Sequence, residues 1–156
     1  MSPILKVTCW NVNGIFKRSQ DYSKLDDTEF LKCISEYDII GILETHSSHD
    51  DIMNLQGFRA ISFCRPKASL ARKPSGGITV FYKSHISGIK VVKIAEHAIW
   101  IKLQKQNFHL TNDVYLAFSY LPPENPYGES ADPSSKPLRI SSFPTSLSPT
   151  RRNLSR

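Results

Sequence analysis

Polar side chains stand where apolar runs end in this chain. Trp10-Asn11-Val12-Asn13-Gly14 closes one run, Leu43-Glu44-Thr45-His46 a second, and Tyr120-Leu121-Pro122-Pro123 another, while Gly76-Gly77 opens one. On an open α/β sheet, strand ends are the usual place for chemistry. Glu44 directly follows the apolar stretch Ile39–Leu43. A carboxylate there suits Mg²⁺, which takes one or two carboxylates and fills its remaining positions with water and phosphate oxygens. Asn11 and Asn13 flank Val12 and fall on one side of an extended chain, where amides can support a metal or donate to a phosphate oxygen. Tyr120 can lay a phenol against a phosphate. Arg65, Lys67, Arg72 and Lys73 form a basic stretch with no acid between them, suited to a phosphate backbone through charge alone.

Each signal also has a plainer reading. Glu44 by itself fits a solvated strand end. Asn-x-Asn-Gly is a natural strand terminator. Tyr120 before two prolines fits half-buried packing. Gly76-Gly77 reads as structural, a loop entering a strand under close packing. His46 fits polar loop chemistry, and His49, His85, His97 and His109 lack metal-ligand spacing with one another. The basic stretch equally fits a solvated loop.

The elements that must position these groups follow from periodicity. Ile4–Trp10 and Ile39–Leu43 read as strands, the second continuous enough to be buried on both faces. Residues 17–28 read as a polar loop. Asp26-Asp27-Thr28-Glu29 predicts a helix start with Asp26 as N-cap, and Phe30, Leu31, Ile34 and Tyr37 follow at helical spacing. Strand, helix, strand implies a βαβ-type opening. Phe58–Phe63, Ile78–Tyr82, Ile89–Ile94, Ala98–Leu103 and Val114–Leu121 are further strand candidates. Ile99, Ile101 and Leu103 alternate with Trp100 and Lys102, a period of two. The sum is a sheet-rich α/β domain with two packed sheets.

The chain has 156 residues, 40% hydrophobic and 22% charged, enough for one domain with a core. Its net charge is +6, but residues 131–156 alone carry five basic groups and one acid. Residues 130–156 hold eight serines and four prolines with few large apolar side chains. Such a segment buries too little to offset its ordering entropy. The expected division is therefore a domain over 1–129 and a disordered tail over 130–156. Cys9, Cys33 and Cys64 are odd in number and form no Cys-x-x-Cys pair, which argues against a disulfide framework or zinc site and predicts buried free thiols. No secretory leader is visible, and no apolar stretch approaches the ~20 residues that span a bilayer. An intracellular protein of cytoplasm or nucleus, with no membrane partner, is the expectation.

Taken in order, Trp10-Asn11-Val12-Asn13-Gly14, Glu44-Thr45-His46, Ser75-Gly76-Gly77-Ile78 and Tyr120-x-Pro122 resemble the endonuclease/exonuclease/phosphatase superfamily. They look most like the apurinic-type endonuclease of LINE-like non-LTR retrotransposons. Tyr37-Asp38-Ile39-Ile40, Ile99–Leu103 and Asp113–Leu116 extend the likeness over about residues 4–128. The resemblance implies a four-layered, two-sheet α/β sandwich, cut short at its C-terminal side. It implies hydrolysis of DNA phosphodiesters with Mg²⁺ or Mn²⁺, with DNA as partner. Glu44 would be the metal-binding carboxylate, Asn11 would support metal or phosphate with Asn13 beside it, and Tyr120 would sit against the scissile phosphate. Some relatives have Asp where Asn13 stands.

The family's later blocks, a water-orienting Asp-x-Asn and a Ser-Asp-His, do not occur after Tyr120. The expected module is therefore a truncated endonuclease, inactive alone. Its rivals are a phosphatase of the same superfamily, a non-catalytic nucleic-acid-binding remnant, and the product of a decayed element with no function of its own.

Overall fold

A computed structural model describes residues 4–17, 22–64 and 76–121, all within the first of the two units, 1–123 and 124–156, into which the chain divides. Strand β1 (Val7–Asn11) pairs in parallel with β4 (Ile39–Leu43), Val7 opposite Ile39 and Asn11 opposite Leu43. Between them lie a short hairpin, β2 (Phe16–Lys17) with β3 (Tyr22–Ser23), and helix α1 (Thr28–Ser35). The hairpin falls where the sequence predicts a polar loop. Two-residue strands are too short to show a periodic pattern.

Helix α1 starts one residue later than expected. Asp27, not Asp26, is the N-cap, and its Oδ1 accepts the Phe30 N–H at 2.9 Å. The reason is local: Asp26 ends a 3₁₀ turn, Lys24–Asp26, capped by the Ser23 hydroxyl. Asp27 is the next residue with extended backbone, the conformation an N-cap needs.

Strand β6 (Ile78–Lys83) runs antiparallel to β4, and β5 (Phe58–Phe63) antiparallel to β6, completing the order β1-β4-β6-β5. The two central strands are buried at Ile39–Ile42 and Ile78–Phe81. Both faces of this sheet are covered. On one, Ile40, Ile42 and Phe81 pack with Ile34 of α1 and with Val12, Ile15, Leu25 and Leu55. On the other, Ile39, Ile78 and Val80 meet a second sheet through Ile99, Ile101, Leu103 and Phe118.

That sheet is antiparallel, in the order β7 (Ile89–Ala95), β8 (Ala98–Leu103), β9 (Val114–Ser119). A four-residue helix, α2 (Lys105–Phe108), links β8 to β9. The period-two reading of β8 holds: Ile99, Ile101 and Leu103 are buried, whereas Trp100 is 41% exposed. The fold is thus mixed α/β, mostly strand, with two packed sheets.

Among the described residues no helix is long and apolar enough to cross a membrane. The cysteines are free, but only Cys64 is buried, while Cys9 and Cys33 are exposed. Burial is a tendency of the residue type, and the register of β1 and the outer side of α1 override it here. The expected boundary at 129/130 and the whole 130–156 segment lie outside the described residues.

Candidate functional site at the strand ends

Pairing between β1 and β4 continues past both strands. Val12 N–H donates to the Leu43 carbonyl at 3.1 Å, Gly14 N–H to the Glu44 carbonyl at 2.7 Å, and Ile15 N–H to the Thr45 carbonyl at 2.9 Å. From the other side, Thr45 N–H donates to Gly77 O at 3.3 Å and His46 N–H to Gly76 O at 2.8 Å. Three of the sequence blocks are therefore joined by backbone, with Glu44-Thr45-His46 in the middle. Asn11, Asn13 and Glu44 come to one edge for this reason, the shared C-terminal end of two parallel strands.

The backbone there is unusual. Asn13, Glu44 and His46 have φ of 47°, 53° and 50°. Asparagine tolerates the left-handed region; for other side chains such strain costs roughly 1–3 kcal/mol and persists only when the surroundings impose it. The flanking hydrogen bonds impose it here. One consequence is that Glu44 leaves the regular alternation of β4 and is half-buried rather than core-facing.

The rest of the site mixes both readings of the motif. Asn11 Oδ1 accepts the Asn13 N–H at 3.1 Å, which is turn chemistry, and both asparagines are exposed. Lys24 Nζ donates to the Val12 carbonyl, bringing an ammonium group to the same loop. Beneath Glu44, Thr45 and Ser47 are buried, with their hydroxyls 2.8 Å apart and Ser47 Oγ 3.3 Å from Cys64 Sγ. The His46 ring lies against Gly14, where a Cβ would stand 3.4 Å from Nδ1. Lys24, Thr45 and Ser47 were not legible as site residues. The available signal was that Thr45 and Ser47 alternate with Glu44 and His46, polar on both parities, as in a segment held on two sides.

Tyr120 is half-buried. Its N–H donates to the His97 carbonyl at 3.0 Å, and its ring borders the inter-sheet core. Leu43, the residue before Glu44, borders the same core. Arg65, Lys67, Arg72 and Lys73, together with Ser75 and Pro122, lie outside the described residues.

Among the described residues, no three His, Cys, Asp or Glu side chains gather as a metal-holding group. The donors present are one carboxylate, Glu44, and the amide oxygens of Asn11 and Asn13. That set is hard and oxygen-only. It fits a sparse Mg²⁺ or Mn²⁺ position completed by water and phosphate, and does not fit an all-protein cage. Set beside known proteins, no family model matches the chain and no curated protein matches it significantly.

Proposed function

We propose that the chain carries part of a metal-dependent DNA endonuclease of the endonuclease/exonuclease/phosphatase type, akin to the apurinic-type enzymes of LINE-like non-LTR retrotransposons. Helix, sheet and sheet would be three of the four layers of that sandwich. The observation that carries the reading is the 2.7 Å bond from Gly14 N–H to the Glu44 carbonyl. It holds the Asn11–Gly14 turn beside Glu44, the carboxylate found at these strand ends among the described residues.

In this reading Glu44 binds Mg²⁺ or Mn²⁺, Asn11 supports metal or phosphate with Asn13 beside it, and Tyr120 lines the approach of the scissile phosphate. The metal, when bound, would polarise a phosphoryl oxygen. Arg65, Lys67, Arg72 and Lys73 would contact the DNA backbone. The working compartment would be the cytoplasm or nucleus. The chain has no Asp-x-Asn or Ser-Asp-His block after Tyr120 to orient a water or contact the phosphate. General-base positioning typically contributes ~10²–10⁴ in rate, so residues 1–156 by themselves are proposed to bind metal without robust turnover.

Two measurements test this. Supercoiled plasmid with Mg²⁺ or Mn²⁺ should stay uncut; nicking that disappears in Glu44→Ala would overturn the proposed inactivity. Mn²⁺ should broaden the amide resonances of Glu44 and Asn11 in the wild type and not in Glu44→Ala. Equal broadening in both would remove Glu44 from the metal position.

A further inference from the structure

One peptide group in the strand-end turn is held at both of its ends. The peptide between Val12 and Asn13 offers its carbonyl oxygen to Lys24 Nζ, and its N–H donates to Asn11 Oδ1 at 3.1 Å. A peptide is planar, so fixing the carbonyl fixes the direction of the N–H. The ammonium also polarises the carbonyl, which makes the N–H of the same peptide a stronger donor. Lys24 therefore bears on the Asn11 amide through one peptide plane.

The lysine is delivered by backbone. Its own N–H donates to the Ile15 carbonyl at 2.9 Å, so the main chain and side chain of residue 24 grip the turn on either side of Asn13-Gly14. Lys24 opens the 3₁₀ turn Lys24–Asp26, whose Leu25 N–H donates to the Ser23 hydroxyl at 3.1 Å. The Leu25 side chain is buried in the same cluster as Val12 and Ile15, which anchors that turn. Lys24 itself is half-buried.

The grip opposes a flip. Asn13 has a φ of 47°. Turning the Val12–Asn13 peptide over would carry Asn13 to a negative φ, where side chains rest with less strain. It would also take the N–H away from Asn11 Oδ1 and release that amide to rotate. With the N–H in place, one lone pair of Oδ1 is used and the direction of the other is set.

We propose that Lys24 is a positioning residue for Asn11, holding its amide oxygen in place at the strand ends through the Val12–Asn13 peptide. Use of that oxygen to support a divalent metal rests on the endonuclease reading above; the coupling from Lys24 to Asn11 does not. Charge alone and positioning predict opposite signs. A cation acting only by its charge repels Mn²⁺, so its removal strengthens metal binding. A cation that positions a supporting group weakens metal binding when removed.

The test uses the full chain, with Lys24→Met, which keeps an unbranched stem and loses donor and charge, and Lys24→Arg, which keeps both. In EDTA, Lys24→Met should shift the Asn11 side-chain amide and Asn13 N–H resonances and lower their order parameters. Its circular dichroism should match the wild type, and Lys24→Arg should stay close to wild type throughout. With Mn²⁺, Lys24→Met should need about tenfold more metal for half-maximal broadening at Glu44, the size of losing a group that orients a ligand. In the wild type, a scalar coupling across the hydrogen bond from Lys24 Nζ to the Val12 carbonyl carbon reads the grip directly and needs no variant to fold.

Absence of that coupling, or unchanged Asn11 signals in Lys24→Met, would overturn the proposal. So would tighter Mn²⁺ binding in Lys24→Met, which would leave the lysine acting by charge. Wild type that takes no Mn²⁺ at Glu44 would sink the endonuclease reading, and the comparison in EDTA would still decide the coupling of Lys24 to Asn11.

Discussion

Gly41 of β4 lies against the ring of Phe118 of β9: a Cβ at position 41 would stand 2.0 Å from Phe118 Cδ1 and 2.7 Å from Cε1. This contact sets how closely the two sheets approach. Interiors are too densely packed to absorb such an overlap, so Gly41→Ala should destabilise by about 1–3 kcal/mol. Phe118→Ala should cost about 3–5 kcal/mol as a cavity. The second change removes the obstacle to the first, so the double variant should lose less than the two losses combined. Urea denaturation of the four proteins measures it. Additivity within about 0.5 kcal/mol would show that Phe118 is not what requires glycine at position 41.

Gly77 is constrained in a second way. Its φ is +91°, and a Cβ there would stand 2.4 Å from Thr45 Oγ1 and 3.4 Å from the Phe63 carbonyl. Gly77→Ala should therefore displace Thr45 and break the hydroxyl contact to Ser47, with a loss of roughly 1–3 kcal/mol. Thr45→Ala removes the nearest obstacle but not the left-handed backbone, so it should rescue only part of the loss. Chemical shifts of the Glu44 and His46 amides should move in Gly77→Ala and stay put in Gly57→Ala, where a Cβ meets nothing within 4 Å.

Asp38 ties the start of β4 to its neighbours. Its carboxylate accepts the Lys6 N–H at 2.8 Å and Lys83 Nζ at 2.9 Å. Burial pushes this carboxyl up, but the Lys6 and Lys83 bonds together outweigh it and hold the group below the ordinary carboxylate range. A folded pKa lowered from about 3.9 means that the contribution to stability is complete above that value. It is lost as pH falls through the folded pKa. Asp38→Asn should thus be less stable than wild type at pH 7, with the gap narrowing as pH falls below the ordinary carboxylate range. Urea midpoints across pH check this; a gap independent of pH would discard the linkage.

The cysteines divide by environment. Cys9 and Cys33 are exposed, whereas Cys64 is 8% exposed beside the Ser47 hydroxyl. In the native protein a thiol reagent should modify the first two and reach Cys64 only after unfolding. Partial burial raises the Cys9 thiol, so less of it is thiolate at neutral pH and its reaction should be slow for an exposed cysteine. Mass spectrometry after brief labelling resolves the sites. Early modification of Cys64 would mean that the Thr45–Ser47 layer opens readily.

Several elements were legible from local pattern. Ile39–Leu43, Phe58–Phe63 and Ala98–Leu103 have the bounds their apolar runs predict, because strand burial writes itself into hydrophobic order. The hairpin β2-β3 and the shift of the N-cap to Asp27 were not legible. The hairpin depends on pairing between segments too short to carry a period, and the cap depends on a 3₁₀ turn that uses the preceding aspartate.

The same division holds at the strand ends. The sequence by itself determined which polar groups close each strand: Asn11, Asn13, Glu44 and Tyr120 are there by residue order alone. Tertiary structure decided which strands lie side by side, and so that Asn11–Gly14 and Gly76-Gly77 bracket Glu44 through backbone bonds. It also decided that Lys24 reaches the Val12 carbonyl, since only the β2-β3 pairing brings them together. Periodicity reports which way a side chain points from its own strand. Register and sheet packing arise between segments far apart in the chain, and no local pattern records them.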